Sequence, residues 1–212
     1  MELIENTLFI NLEHRTDRLE HVTKQLKQLD VSGQRFNAVK MKKGHIGCTL
    51  SHIKCLEIAI KNQWDYVFIC EDDIVFTKPN LLLKNIRRFS KNPDIQWDVL
   101  IIGGNNCPPF QEITDYCIKV ANCQTTTGYI VKKAYYQKLL DNFKEGLGKL
   151  LKDQDNKREF AIDMYWKRLQ HTDNWYLLTP PTVIQLEDYS DIEDRVVKYD
   201  HLMLDLEKKW LM

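Results

Sequence analysis

Tyr66-Val-Phe-Ile-Cys70, followed at once by Glu71-Asp72-Asp73, is the stretch on which the fold turns. The apolar run is continuous, β-branched and aromatic, which reads as a strand buried on both faces; a half-exposed strand would alternate. Such strands occur in sheets covered by helices on both sides. Three carboxylates cannot share that burial. The chain therefore surfaces at the carboxyl end of the strand, where α/β sheets hold their ligands.

The flanking segments repeat the strand and helix alternation. Thr7–Leu12 is a short apolar strand, and Thr16–Leu29 carries Leu19, Val22, Leu26 and Leu29 at helical spacing. A second strand is expected near Arg35–Val39, and a helix over Cys48–Ile60. Ile74-Val-Phe76 follows the acidic run, and Pro79 opens a helix through about Phe89 with Lys84, Arg87 and Arg88 outward. Trp97–Ile102 reads as another buried strand, stopped by Gly103-Gly104. Asn105–Phe110 reads as a loop, Tyr116–Val120 as a strand, and Thr125–Val131 as a strand broken by its glycine. Helices are expected over Lys133–Phe143 and Glu159–Gln170, a polar loop over Lys149–Arg158, a strand over Asn174–Leu178 and a last amphipathic helix over Glu193–Trp210. The pattern predicts an α/β sandwich around a mostly parallel sheet.

Composition bounds the function classes. The 212 residues carry 30 Lys plus Arg against 30 Asp plus Glu, so the net charge is zero, and 43% are hydrophobic. That balance argues against a general nucleic-acid surface, which needs excess cations to replace counterions. No repeat, linker or low-complexity tract divides the chain, so one domain over 1–212 is expected. Six cysteines without zinc-finger spacing read as reduced thiols. No apolar run approaches the roughly 20 residues of a membrane span, and the start, Met1-Glu-Leu-Ile-Glu-Asn, is acidic where a signal peptide is basic. A cytoplasmic location is the expectation.

The acidic triplet carries the chemistry. Hard oxygen donors at a strand end, with no neighbouring Cys or His motif, suit magnesium or manganese, with a substrate diphosphate completing the coordination. In extended backbone Glu71 and Asp73 would share one side and Asp72 the other. A helix N-cap would also use such residues, but Pro79 starts the next helix too far downstream. Asn11, Arg15, Asp17 and Arg18 follow the first strand, where an Arg fork and a helix start can hold a nucleotide; an internal Arg/Asp pair in a solvated turn is the competing reading. Ser51-His52 lies on the helix beginning near Gly47, where a lone His is commonly a packing residue. Asp163, among large apolar neighbours, would have its pKa raised toward the range of a general base. Gln185 and Ser190-Asp191 follow Pro180-Pro181 in a polar turn.

In order along the chain stand Ile10-Asn-Leu with Arg15 and Asp17-Arg18, then Gly47-Cys48 with Ser51-His52, then Glu71-Asp72-Asp73, Thr127-Gly128-Tyr129, Asp163, Gln185 and Ser190-Asp191-Ile192. This ordered set resembles glycosyltransferase family 25, the group of bacterial lipopolysaccharide galactosyltransferases and procollagen galactosyltransferases. The short basic stretch Lys42-Lys-Gly-His45-Ile departs from it, since many relatives carry a Glu and a longer segment there.

The resemblance implies a GT-A-like nucleotide-binding sandwich that uses a UDP-sugar and a divalent cation, Mn2+ or Mg2+, with inversion at the anomeric carbon. It implies that Asp73, with Glu71 and Asp72, holds the metal. Asn11, Arg15, Arg18, Ser51, His52, Glu71, Asp72, Gln185, Ser190 and Asp191 would face the donor, and Asp163 would be the base. The expected reaction moves a hexose, galactose by the family's commonest choice, to a hydroxyl of a glycan or of hydroxylysine in a collagen-like protein. Two other classes remain open: a metal-dependent phosphoesterase, and a non-catalytic module that binds nucleotide sugars. The expected partners are the donor and a glycan or protein acceptor, with no nucleic acid and no transmembrane segment.

Overall fold

The computed structural model describes residues 2–190 and 195–211. In chain order the elements are β1 (Thr7–Asn11), α1 (Thr16–Lys27), β2 (Gln34–Asn37), α2 (Gly44–Lys61), β3 (Tyr66–Glu71), β4 (Ile74–Phe76), α3 (Pro79–Ser90), β5 (Val99–Asn106), β6 (Phe110–Thr114), β7 (Cys117–Val120), β8 (Cys123–Lys132) and α4 (Tyr136–Lys152). Three short helices follow, α5 (Lys157–Phe160), α6 (Ile162–Tyr165) and α7 (Lys167–Gln170). Then come β9 (Trp175–Leu178), β10 (Val183–Gln185), β11 (Asp188–Ser190), β12 (Arg195–Val197) and α8 (Asp200–Leu204).

One sheet of eight strands, in the order β2-β1-β3-β8-β5-β9-β7-β6, forms the middle of the α/β fold. β1 pairs parallel with β2 and β3, and β5 parallel with β9. β8 runs against β3 and β5, and β7 against β9 and β6. All strands except β7 and β8 therefore point one way, and the sheet is mainly parallel by direction, as expected.

Val67, Phe68, Ile69 and Cys70 of β3 are all fully buried. Val67 and Ile69 pack with Leu56 of α2, Leu139 and Phe143 of α4, and Trp166. Phe68 and Cys70 pack on the opposite face with Val22 and Leu26 of α1 and Ile86 and Phe89 of α3. The continuous apolar run is thus the seam between two cores, one on each face of the sheet. Among the described residues no helix is long and apolar enough to cross a membrane, and all six cysteines are free thiols.

Several expected boundaries are corrected. Gly103-Gly104 does not stop β5, which continues to Asn106 with register shifts around both glycines. Their role is close approach: a Cβ on Gly103 would lie 2.5 Å from Val183 Cγ1, and one on Gly104 2.6 Å from Cys123 Sγ. β8 likewise runs unbroken through Gly128. α4 extends to Lys152 because Leu150 is fully buried beneath its polar neighbours, so the first part of the expected loop at Lys149–Arg158 is helical, and α5 takes its end. The helix expected over Glu159–Gln170 is interrupted where Ala161 turns extended (φ −58°, ψ 149°).

The expected C-terminal helix is overturned over its described part. Arg195–Val197 forms β12 against β11, and only Asp200–Leu204 is α-helical. That helix ends where Asp205 adopts an extended backbone and its Oδ1 accepts the N–H groups of Glu207 and Lys208. Glu193 and Asp194, the start of the expected helix, lie outside the described residues.

Candidate active site

β1 and β3 are parallel neighbours, so Asn11 and Glu71 surface together at their carboxyl ends. The expected alternation along Glu71-Asp72-Asp73 does not hold, because β3 ends at Glu71 and the next two residues make the turn into β4. A turn splays the three carboxylates in three directions. All three still line one cavity of ≈ 220 Å³, together with Arg18, Ser51, His52, Gln185 and Ser190.

Asp72 is held on both oxygens: Asn11 Nδ2 donates to Oδ2 at 2.7 Å, and Arg18 Nη1 to Oδ1 at 3.1 Å. Asn11 Nδ2 also reaches the carbonyl of Arg15 at 3.0 Å, which ties the strand end to the start of α1. Arg18 is buried in the first turn of α1, and its Nη1 lies 3.6 Å from Asp73 Oδ2. Burial works against its charge, but Asp73 and Asp72 outweigh that and raise its pKa. The other side of the Arg18 fork grips β11, with Nε to Asp188 Oδ2 at 3.1 Å and Nη2 to the Tyr189 carbonyl at 2.9 Å. Arg15 Nη2 reaches the same Asp188 oxygen at 2.5 Å and Asp17 at 2.8 Å.

Glu71 points toward α2. Its Oε1 accepts the Thr126 hydroxyl at 2.5 Å and lies 3.3 Å from His52 Nε2 and 3.7 Å from Cys48 Sγ. Burial raises its pKa, but the His52 and Thr126 contacts and Arg18 together leave it below the ordinary carboxylate range. His52 is fully buried, with Nδ1 2.8 Å from the Tyr129 hydroxyl. Ser51 is committed to the backbone: its Oγ donates to the Gly47 carbonyl at 2.7 Å and accepts the Val39 N–H at 2.9 Å, which anchors the β2–α2 connection.

Asp73 differs from its neighbours. Antiparallel pairing of β4 with β10 brings Gln185 beside it, with Nε2 3.5 Å from Oδ2. Asp73 Oδ1 and Gln185 Oε1 are both buried without a hydrogen-bond partner. Burial first, then the charge of Glu71, pushes the Asp73 carboxyl up to about 8. Glu71 and Asp73 behave as a pair in which Asp73 keeps the proton. A buried, unpartnered carboxylate oxygen beside an unpartnered amide oxygen is a donor set for a hard cation, so the residues present fit one.

Asp163 is not on the cavity wall. It lies on α6 behind the start of β8, where its Oδ2 accepts the Thr125 N–H at 3.0 Å. Burial raises its pKa; the Thr125 N–H and Lys167 oppose this, and the charge of Glu71 adds to it. Thr125 itself has φ +69°, a strained backbone for a β-branched residue. Ser190 lines the cavity, while Asp191 lies outside the described residues. The basic stretch before Gly47 crosses to the α4–α5 loop, with Lys43 Nζ 2.5 Å from Asp155 and His45 Nε2 2.9 Å from the Gln154 carbonyl. Asp188, Thr126 and Tyr199 were not legible as site residues. Each belongs to a strand end or turn whose placement depends on tertiary pairing, and the acidic side chain of Asp188 next to the expected polar turn was the one available signal.

Residues 39–166 match the model of glycosyltransferase family 25, described as an LPS biosynthesis protein family. The chain is 26% identical over 196 residues to a glycosyltransferase 25 family member of Anopheles gambiae, an alignment that covers 74% of this chain and 30% of that one. It is 40% identical over 48 residues, 23% of this chain, to a protein of Haemophilus influenzae (strain ATCC 51907 / DSM 11121 / KW20 / Rd) whose description carries the word glycosyltransferase, and spans 17% of it. The chain therefore spans less than a third of these curated relatives. Among solved structures it is similar to a glycosyltransferase involved in glycosylation of the major capsid of PBCV-1 (TM-score 0.43, 11% identity, 82% of this chain and 93% of that one).

Proposed function

The chain belongs to glycosyltransferase family 25, and from that premise we propose that it is a metal-dependent, inverting transferase of GT-A type, moving a hexose from a UDP-sugar to an acceptor hydroxyl. Galactose is the donor sugar we favour, and a glycan or a hydroxylysine of a collagen-like protein the acceptor. The observation that carries this reading is the buried, unpartnered oxygen of Asp73 beside that of Gln185, beyond the carboxyl ends of parallel strands.

Of the three carboxylates expected to hold Mn2+ or Mg2+, Asp73 keeps that role, now with Gln185; Asp72, locked by Asn11 and Arg18, would fix the turn that presents them, and Glu71 turns away toward His52 and Cys48. When bound, the cation offsets the charge that develops on the departing diphosphate. Arg15 and Arg18 add fixed positive charge at the same place, through forks that match phosphate geometry. Asp188 pairs with both forks and would yield them to the diphosphate. Asp163 would accept the proton of the attacking hydroxyl, with a pKa that burial raises above its ordinary value.

Incubation with a panel of UDP-sugars and Mn2+ tests the reading. Slow release or transfer of one sugar is the expected result. Release of phosphate from phosphomonoesters would assign a phosphoesterase instead, and donor binding without turnover a binding module.

A further inference from the structure

Cys48 and His52 stand one helical turn apart on α2, and Glu71 reaches them from the end of β3. The sulfur, the imidazole nitrogen and the carboxylate oxygen all lie within 4.8 Å of one another. Glu71 Oε1 is 3.3 Å from His52 Nε2 and 3.7 Å from Cys48 Sγ. Tetrahedral zinc, with its usual bond lengths, sets these ligand edges at about 3.4 Å for N to O and about 3.6 Å for S to O. The two edges from Glu71 already stand near the spacing that an ion would impose, and the third, from sulfur to imidazole, lies within 4.8 Å.

The surroundings supply what such a site needs. The Tyr129 hydroxyl, 2.8 Å from His52 Nδ1, can accept its N–H and so free Nε2 to ligate, and the two rings stack at 5.6 Å. Thr126 orients the carboxylate through the same Glu71 oxygen. Burial pushes the Cys48 thiol up and the charges of Glu71 and Asp163 add to it, a negative field that a cation would offset.

We propose that Cys48, His52 and Glu71 form a second cation site, for a borderline-soft divalent ion of the zinc class. Sulfur and imidazole donors select that class, whereas the oxygen pair of Asp73 and Gln185 selects a hard ion. All three ligands line the cavity, so the fourth position is left to water or to an oxygen of the cavity's occupant. Binding releases the thiol proton to solvent, and nothing is oxidised or reduced.

The test is titration of the reduced, metal-free protein with Co2+ alone, followed by absorption. A tetrahedral cobalt spectrum with a thiolate charge-transfer band is expected at a single equivalent, unchanged in Cys107→Ser and Asp73→Asn. Cys48→Ser removes the charge-transfer band, and His52→Gln weakens Co2+ binding at least about tenfold. Absence of the band from the folded wild-type chain overturns the proposal whatever the variants do. Its persistence in Cys48→Ser, or its loss in Cys107→Ser or Asp73→Asn, overturns it equally. The site is independent of the transferase reading, since loss of sugar transfer in Asp73→Asn leaves the cobalt band as it was.

Discussion

The cavity has two walls of different make. On the wall built from β1, α1, α2 and β3, the polar side chains Asn11, Arg18, Ser51, His52 and Asp72 are all buried, and each meets another residue of that wall within hydrogen-bond distance. On the facing wall, β10, β11 and β12 are three residues each, Tyr189 and Val196 are exposed, and Asp188 holds its arginines with a side chain still 32% exposed. The first wall is part of the core. The second is a pair of short ribbons that depend on it, held to α1 through the Arg15 and Arg18 forks. Rigid presentation of Asp73 comes from the first wall, and room for a donor to enter comes from the second.

The sharpest way to break that contrast is at the triplet. Asp73→Asn neutralises the carboxylate that supplies one of the two unpartnered cation oxygens, and sugar transfer should fall at least about 100-fold. Cation-dependent donor binding, read by calorimetry, should vanish with it. Asp163→Asn should lose transfer to a similar degree yet keep that binding. Equal cation-dependent binding in the wild type and both variants would show that Asp73 holds no ion.

Stability should separate the walls next. Arg18→Met strips the cation that, among the described residues, pairs with the buried Asp72 and Asp73, and breaking such a pair costs about 3–5 kcal/mol, measurable as a lowered urea midpoint at unchanged m-value. A smaller loss would mean that Asp72 and Asp73 take up protons readily when Arg18 leaves.

The pH dependence follows from Asp73. Its carboxyl is raised from an ordinary 3.8 to about 8 in the folded chain. Such a group adds stability below pH 4, and this is lost as the pH climbs through 8 because only the unfolded chain gives up the proton freely. The metal-free protein should therefore lose stability across that window, with a slope of up to about 1.4 kcal/mol per pH unit. Asp73→Asn should flatten the slope. Mn2+ competes with the same proton, so its thermal shift should grow as pH rises toward 8.

The two walls also differ in how far the amino-acid sequence exposes them. Val67–Cys70 is apolar without alternation, α1 keeps a helical period, and the triplet interrupts both in a way only a strand end explains, so the first wall and most of its ligands are readable in advance. The splay of Glu71, Asp72 and Asp73 is not, because a turn and a continuing strand share the same residues and only the β4–β10 pairing tells them apart. β10, β11 and β12 are too short to carry a period. Val196-Val197 beside polar residues fits a helix face as well as a strand, and the choice is made by the register with Asp188–Ser190. Gly103-Gly104 misleads for a related reason: glycine ends strands, but it also admits a neighbour, here Val183 and Cys123, where a Cβ would clash.

Asp188→Asn gives the smallest effect and the finest comparison of the walls. Its bonds to Arg15 and Arg18 lie at the cavity rim, where partial exposure screens the pairing, so the loss of stability should stay below about 1 kcal/mol. Function should move the other way. The carboxylate occupies the two forks that a diphosphate would use, and its charge competes with the donor's. Neutralising it should tighten UDP binding by a few-fold and steepen its dependence on salt, because one carboxylate fewer then competes with the phosphate charge for the two guanidinium groups. Weaker UDP binding in Asp188→Asn would mean that Asp188 positions the arginines for the nucleotide rather than holding their place, and the second wall would then belong to the rigid part of the site.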